Sequence, residues 1–178
     1  MRFTVHGGHL CNAIMLMSPA SSSPTRGYWL MKSEPAEASI DDLVRAPRHT
    51  LAWTGVRNYQ ARNFMRDAMK AGDGVLFYHS SCPEPGIAGL AKVSGGLAPD
   101  STQFDSASPY FDPKSTADKT RWLQINVTLE RQTPLLSLAQ MRQSPELATM
   151  RVLQRGNRLS ITPVTAAEWQ AVLAQLGR

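Results

Sequence analysis

Residues 53–63 constrain the fold most strongly, because they concentrate polar side chains where a helix is predicted to begin. Their sequence, WTGVRNYQARN, contains two aromatic residues, three amides, two arginines and a glycine. A helix that packs against a core cannot easily pair so many hydrogen-bonding side chains, so the segment is predicted to be a turn leading into a helix. Its side chains either cap that helix or line a pocket. In a pocket, free N–H groups hold an anion, an amide reads a base edge, and Trp53 offers a stacking surface.

The predicted helix, from about residue 56 to 69, has an apolar side and a basic side. Helical spacing predicts a core-facing stripe of Ala61, Phe64, Met65, Ala68 and Met69. The opposite face carries Arg62, Arg66 and Lys70, which form either a solvated surface or a ridge that contacts phosphates. Arg57 and Asn58 are predicted to point toward the apolar side. There they must be paired, either to neighbouring loops or within a pocket wall.

From Tyr28 onward, short strands and short helices follow one another, which predicts a single α+β domain. Periodicity predicts strands at 28–32, 75–80, 86–93, 121–131 and 159–162. Helices are predicted after the N-caps Ser39 and Thr165, with one or two more between 138 and 150, broken at Pro145. Residues 98–120 form a predicted loop with the features of a functional lid.

In the strand at 75–80, alternation puts Val75, Phe77 and His79 on one face and Leu76, Tyr78 and Ser80 on the other. Tyr, His and Ser at its end form a polar rim. In the partner strand, Gly86 and Gly89 permit close approach of a backbone or a ligand, or form a β-bulge.

Composition allows one core and no more. The chain has 178 residues, of which 42% are hydrophobic, and its net charge of +5 suits a polyanionic partner without requiring one. Cys11 and Cys82 lack the spacing of a zinc site and do not indicate a disulfide, so we expect no metal or other cofactor and a reducing cytoplasm. No apolar run approaches the length of a membrane span.

The first 27 residues differ from the rest of the chain. A short apolar run is followed by the serine- and proline-rich stretch at 18–24, which reads as a flexible linker. We expect residues 1–27 to be a disordered or artefactual extension, with Met15 or Met17 as alternative start positions, and residues 28–178 to form the domain.

Several long motifs in the same order resemble the EVE domain family. They are YWLMKSEP at 28–35, residues 53–63, Gly72-Asp73 with FYHS at 77–80, Gly89-Leu90-Ala91, DSASPYFDPKS at 105–115, Arg121-Trp122, and Arg158-Leu159-Ser160 followed by Pro163-Val164. The resemblance covers almost all of residues 28–176.

The resemblance implies a PUA-like fold, with a mixed β-sheet or pseudo-barrel flanked by short helices and related to YTH domains. It also implies binding of a modified base, notably a modified cytosine, of DNA or RNA in an aromatic-walled pocket. The motif positions carry over as pocket candidates Trp29, Lys32, Ser33, Glu34, Trp53, Thr54, Gly55, Arg57, Asn58, Tyr78, His79 and Ser80. The arrangement of Lys32-Ser33 and Trp53-Thr54 is similar to the aromatic cage of YTH domains, which favours Trp53 as the wall.

Other interpretations stay open. Trp29 fits a core position as well as a pocket, and Trp122 and Trp169 are expected to pack in the core. We expect a monomer that binds nucleic acid without catalysis and has no membrane partner. The alternatives are a hydrolase that uses His79 with a nearby serine, and a protein-interaction module that uses the basic helix at 57–70.

Overall fold

Six strands form one sheet in the computed structural model, which describes residues 26–177. The strands are β1 (Tyr28–Ser33), β2 (Thr50–Trp53), β3 (Gly74–His79), β4 (Gly86–Pro99), β5 (Leu123–Ser137) and β6 (Ile161–Pro163). They are ordered β2-β5-β4-β3-β1-β6, with β1 parallel to β3 and the other neighbours antiparallel. The predicted α+β class and mixed sheet are confirmed.

Among residues 26–177, four α-helices flank the sheet: α1 (Ile40–Arg45), α2 (Tyr59–Asn63), α3 (Leu138–Gln143) and α4 (Ala166–Gln175). The predicted capping boxes are confirmed at α1, where Ser39 pairs with Asp42, and at α4, where Thr165 pairs with Glu168. Each box satisfies helix N–H groups that would otherwise lack partners. None of the helices in the described part of the chain has both the length and the apolar character of a membrane span.

The sheet is strongly curled. Trp53 on β2 and Phe77 on β3 are separated in the sheet by β5 and β4, yet their ring centroids are 5.3 Å apart. In a flat sheet, three strand spacings of roughly 4.8 Å would separate them by about 14 Å. The curl therefore brings the edge strand β2 over the inner face of β3, as in a pseudo-barrel.

Each face of the sheet has its own core, as the predicted alternation along β3 requires. The inner core contains Val75 and Phe77 and is covered by α1 and α2, while the outer core contains Leu76 and Tyr78 and is covered by α3 and α4. Tyr78 thus lies on the opposite face of the sheet from Phe77.

The helix after residue 56 differs from its prediction. It begins at Tyr59, with Asn58 as its N-cap, and continues as a π-helical segment at Phe64–Ala68, where Met69 N donates to Phe64 O at 2.9 Å. The wider π-turn rotates the following residues, so Met69 is buried whereas Ala68, predicted to lie in the core, is exposed. Asn58 is exposed too, which corrects its predicted apolar-side position.

Several boundaries also differ. Strand β2 was not predicted, and β4 and β5 extend beyond their predicted ends at 93 and 131. Gly86 and Gly89 bring the backbone of β5 close, because a Cβ at Gly89 would lie 3.0 Å from Arg131 O, and the register shifts between Ile87 and Gly89. Of the predicted extension at 1–27, only Arg26 and Gly27 are described. They contact Glu130 and Asp73, while Cys11, Met15 and Met17 lie outside the described residues.

Candidate functional site

A cavity of about 620 Å³ opens where the ends of β1, β2 and β3 come together. A volume of this size is typical of sites that hold a small molecule or a single base. The residues that line it come from strand ends and from loops: Lys32, Ser33, Glu34, Glu37, Ala38, Leu51, Ala52, Trp53, Thr54, Gly55, Val56, Ser80, Ser81, Thr102, Pro109, Tyr110, Arg158 and Ser160.

Trp53 is held firmly at the wall of this cavity. It ends β2, is 8% exposed, and packs edge-on against Phe77. The indole therefore belongs to the inner core and borders the cavity at once. Buried contacts on one side fix the orientation of the ring that a ligand would meet on the other.

Tyr110 supplies a second aromatic wall from the loop between β4 and β5. Its ring lies so close to Gly55 that a Cβ at that position would be 2.9 Å from it, and Gly55 has a φ of +76°. Only glycine accommodates both the conformation and the contact. The hydroxyl of Tyr110 donates to Glu37 Oε2 at 2.5 Å, and burial, followed by Glu37, raises the pKa of Tyr110 to about 12.

A buried ion pair fixes the loop against β2. Arg57 donates to Asp100 Oδ2 at 2.8 Å, to Thr102 Oγ1 at 2.9 Å and to the carbonyl of Tyr110, while Asp100 also accepts from Gly55 N at 2.9 Å. Asp100 is fully buried. Arg57 and Asp100 therefore join the loop that carries Tyr110, on one side of the cavity, to Gly55 on the other side, and so hold both walls in place.

Charged groups of both signs line the cavity. Lys32 and Arg158 bring positive charge, and Glu34 and Glu37 bring negative charge. Burial lowers the pKa of Lys32, and within residues 26–177 its ammonium group has no hydrogen-bond partner. Ser33 is occupied locally, since its hydroxyl donates to Ala38 O. Lys32 is thus a donor available to a ligand.

Seven of the predicted pocket residues line the cavity: Lys32, Ser33, Glu34, Trp53, Thr54, Gly55 and Ser80. The others do not. Trp29 is buried and donates to Asp73 Oδ2 at 2.9 Å, Tyr78 lies in the outer core, and Asn58 accepts from Gln60 N and Ala61 N as the cap of α2. Arg57 braces the loop behind the wall.

His79 also lies outside the cavity lining. Its Nε2 accepts from Ile40 N at 3.0 Å and so anchors the start of α1. Burial lowers the pKa of His79 more than the neighbouring Asp41 raises it. The imidazole is therefore held in its neutral form with Nε2 as acceptor.

The predicted basic ridge is largely engaged in local contacts. Arg62 donates to Arg121 O at 3.0 Å and lies over the ring of Tyr59, and Arg66 pairs with Asp67 at 2.6 Å. Lys70 is exposed. Within residues 26–177 there is no cluster of three or more His, Cys, Asp or Glu side chains that could hold a metal ion.

Sequence reasoning did not place six polar cavity residues in the site: Glu37, Ser81, Thr102, Tyr110, Arg158 and Ser160. Tyr110 lies in the predicted lid and in the motif at 105–115, and Arg158 and Ser160 belong to the motif that precedes β6. The signal was present in these motifs, but no local periodicity indicates that such distant loops meet β1 and β2.

Comparison with known proteins identifies relatives over nearly the whole described chain. The EVE domain model matches residues 27–175. Human thymocyte nuclear protein 1 is 39% identical over 96% of this chain and 86% of its own length. A Pseudomonas syringae protein of known structure is 48% identical, with a TM-score of 0.79 over 83% of this chain and 98% of its own. The human THYN1 protein, solved in complex with DNA containing 5-methylcytosine, is 42% identical, with a TM-score of 0.79 over 85% of this chain and 98% of its own.

Proposed function

This chain belongs to the EVE domain family, and we propose that it binds DNA or RNA by taking one modified base into the cavity beside Trp53, without transforming that base. The observation that carries this proposal is the cavity itself, bounded by a rigidly held indole. The human THYN1 protein, solved in complex with DNA containing 5-methylcytosine, supports it, because it is 42% identical to this chain over 98% of its own solved chain.

The walls suit a planar heterocycle. Extruding a base from a stack costs a few kcal/mol, and stacking on an aromatic side chain recovers on the order of 1–3 kcal/mol. Trp53 is the platform in this proposal, with Tyr110 as a second wall. A methyl group on the base adds apolar area that an aromatic wall can bury, which contributes roughly 1 kcal/mol to selectivity.

Polar groups around the cavity suit the edge of the base and its phosphate. Thr54 and Ser80 bring hydroxyls that donate or accept hydrogen bonds, and Lys32 brings an ammonium that has no partner among the described residues. Arg158, exposed at the cavity, is suited to a phosphate. Arg57 positions Tyr110 and Gly55 and does not contact the ligand directly.

The position of His79 supports binding without catalysis. A general base needs a ring nitrogen free to take a proton from the reacting group, but Nε2 of His79 already accepts from Ile40 N, and the residue does not line the cavity.

The proposal is tested with Trp53→Leu, which keeps an apolar side chain but removes the stacking surface. Binding is measured at fixed salt to single-stranded oligonucleotides that differ only in one cytosine or 5-methylcytosine. We expect the wild-type protein to prefer the methylated strand, the variant to lose about tenfold or more in affinity, and the oligonucleotide to be recovered unchanged in mass.

Trp29→Leu is the matched control, because it makes the same change at a buried tryptophan outside the cavity. Both variants are checked by circular dichroism and thermal melting, and binding is compared where both are folded. Equal losses for the two variants, or a wild-type protein that treats all bases alike, would contradict the proposal.

A further inference from the structure

The loop that supplies Tyr110 also carries two exposed phenylalanines. Phe104 and Phe111 are each 42% exposed, and within residues 26–177 they are among only four large apolar or aromatic side chains with such exposure. Phe111 directly follows Tyr110, which lines the cavity. Exposed apolar side chains that are grouped beside a cavity mark a contact surface, whereas single scattered ones are ordinary.

The two phenylalanines are neighbours on the loop. Asp112 N donates to Gln103 O at 3.0 Å, which joins the two arms of the loop; Phe104 directly follows one bonded residue, and Phe111 directly precedes the other. Their backbones therefore lie side by side. We call this pair the aromatic tip.

The aromatic tip is built on a rigid base. The side chain of Gln103 is fully buried, donates to Asp100 O and Trp122 O at 2.7 and 2.9 Å, and accepts from Arg121 N and Trp122 N at 3.1 and 3.0 Å. Together with the pairing of Arg57 and Asp100, these bonds order the loop before any partner arrives. Phe104 and Phe111 are therefore presented in a fixed place at low entropic cost on binding.

The balanced charge of the loop favours contact with the bases of a nucleic acid rather than with its phosphates. Between residues 104 and 121, the acidic residues Asp105, Asp112 and Asp118 match the basic residues Lys114, Lys119 and Arg121 in number. The segment therefore offers no net attraction to a phosphate backbone. What it does offer is two aromatic faces, which stack on any base.

We propose that the aromatic tip enters a DNA duplex where the target base has left it and stacks on the bases that border the gap. This inference rests on the proposed function, because it requires one base to occupy the cavity next to Tyr110. Apolar side chains inserted between base steps stabilise unstacked duplexes in the same way. The aromatic tip then offsets part of the cost of extrusion, a cost that is smallest for a single strand.

The test compares the Phe104→Ala/Phe111→Ala double variant with the wild-type protein on two ligands at one salt concentration: a duplex with one 5-methylcytosine paired to guanine, and the methylated strand alone. We expect the double variant to lose about tenfold in affinity for the duplex and less than about twofold for the single strand. Leu97→Ala, which truncates a side chain that is 44% exposed and outside this loop, should change neither affinity by more than about twofold.

Each other outcome overturns the inference in its own way. An unchanged duplex affinity shows that the tip does not enter the duplex, and an equal loss on both ligands shows that it contacts nucleic acid without filling a gap. If the wild-type protein prefers the methylated single strand but does not bind the duplex, the inference about the aromatic tip is refuted and the proposed function stands. If the wild-type protein does not distinguish the methylated strand at all, the proposed function fails first, and the tip fails with it. If the aromatic tip instead binds another protein, the double variant will keep the wild-type affinity for the duplex, which is the first of these outcomes.

Discussion

Asp100 shows how a single buried carboxylate determines the shape of the cavity. It accepts from Gly55 N, Arg57 and Thr102, and the same arginine donates to the carbonyl of Tyr110. Burial raises the pKa of Asp100, but the hydrogen bonds from Arg57, Thr102 and Gly55 outweigh burial and lower the pKa overall. The ionised form is therefore the one that the folded protein selects.

Asp100→Asn is expected to lower the free energy of unfolding by on the order of 3 kcal/mol at neutral pH, because it leaves the Arg57 guanidinium without its counter-charge. The pKa is lower in the folded state than in the unfolded state, so this stabilisation is present above the unfolded pKa near 4 and is lost as the pH falls through the folded pKa. Urea unfolding of both proteins should therefore show a difference that shrinks as the pH falls below about 4.

The matched control for that measurement is Asp105→Asn, the same change at an exposed position of the same loop. It should alter the free energy of unfolding by less than about 0.5 kcal/mol. A gap between wild type and Asp100→Asn that stays constant down to low pH would mean that the charge of Asp100 is not what stabilises the loop.

At the scale of secondary-structure elements, the sequence predicts what is local and misses what depends on distant partners. The caps Ser39 and Thr165 and the alternation along β3 are local patterns, and the structure confirms them. Strand β2 is only four residues long and is stabilised by pairing with β5, whose partner residues begin more than 70 positions later, so nothing in its own sequence indicates a strand.

The same distinction applies to the cavity. Lys32, one residue before the end of β1, and Trp53, the last residue of β2, line it, as predicted from motifs at those positions. Tyr110 and Arg158 reach it from loops whose approach depends on the curl of the sheet and on the buried pairing of Asp100. Tyr78 and His79 share a motif with Ser80, but the alternation of β3 and the hydrogen bond to α1 direct them to other surroundings.

The junction between α1 and β3 depends on the protonation state of His79. Its Nε2 accepts from Ile40 N at 3.0 Å, and a protonated ring cannot accept this bond. Burial lowers the pKa of His79, with Asp41 acting in the opposite direction, so the unfolded chain binds a proton at a higher pH than the folded protein does. Stability is therefore expected to fall as the pH drops below about 6.5, the unfolded value, toward the folded pKa.

His79→Gln should remove that part of the pH dependence, because the glutamine Oε1 accepts a hydrogen bond and does not titrate in this range. The measurement is thermal or urea unfolding at several pH values between about 5 and 8, where histidine changes its charge. His49→Gln, at the other histidine in the described chain, which is exposed, is the control and should retain the wild-type dependence. A His79→Gln protein whose stability falls with pH as steeply as the wild type would show that this bond is not the sensor.

At the scale of the whole molecule, the cavity lies at one end of the sheet, and the basic residues from Arg62 in α2 to Lys70 extend toward the other. Arg62 contacts Arg121 at the base of the loop that lines the cavity, whereas Lys70 precedes Gly74, where β3 begins. Residue Ser80, just beyond the other end of β3, lines the cavity. Six strand residues span roughly 20 Å, so Lys70 lies far from the cavity, whereas Arg62 lies beside the loop that lines it.

This gradient predicts how the affinity for nucleic acid depends on salt. Each phosphate that a cation neutralises adds about 0.9 to the slope of log affinity against log salt concentration for a duplex. We expect Arg62→Gln to reduce that slope by about one and Lys70→Gln to leave it unchanged, although both remove one positive charge. Because both variants lose the same charge, a difference between their slopes shows which of the two positions lies near a phosphate. Equal slopes would mean that only the overall charge of +5 attracts nucleic acid, and a loss confined to Lys70→Gln would place the bound strand at the far end of the sheet.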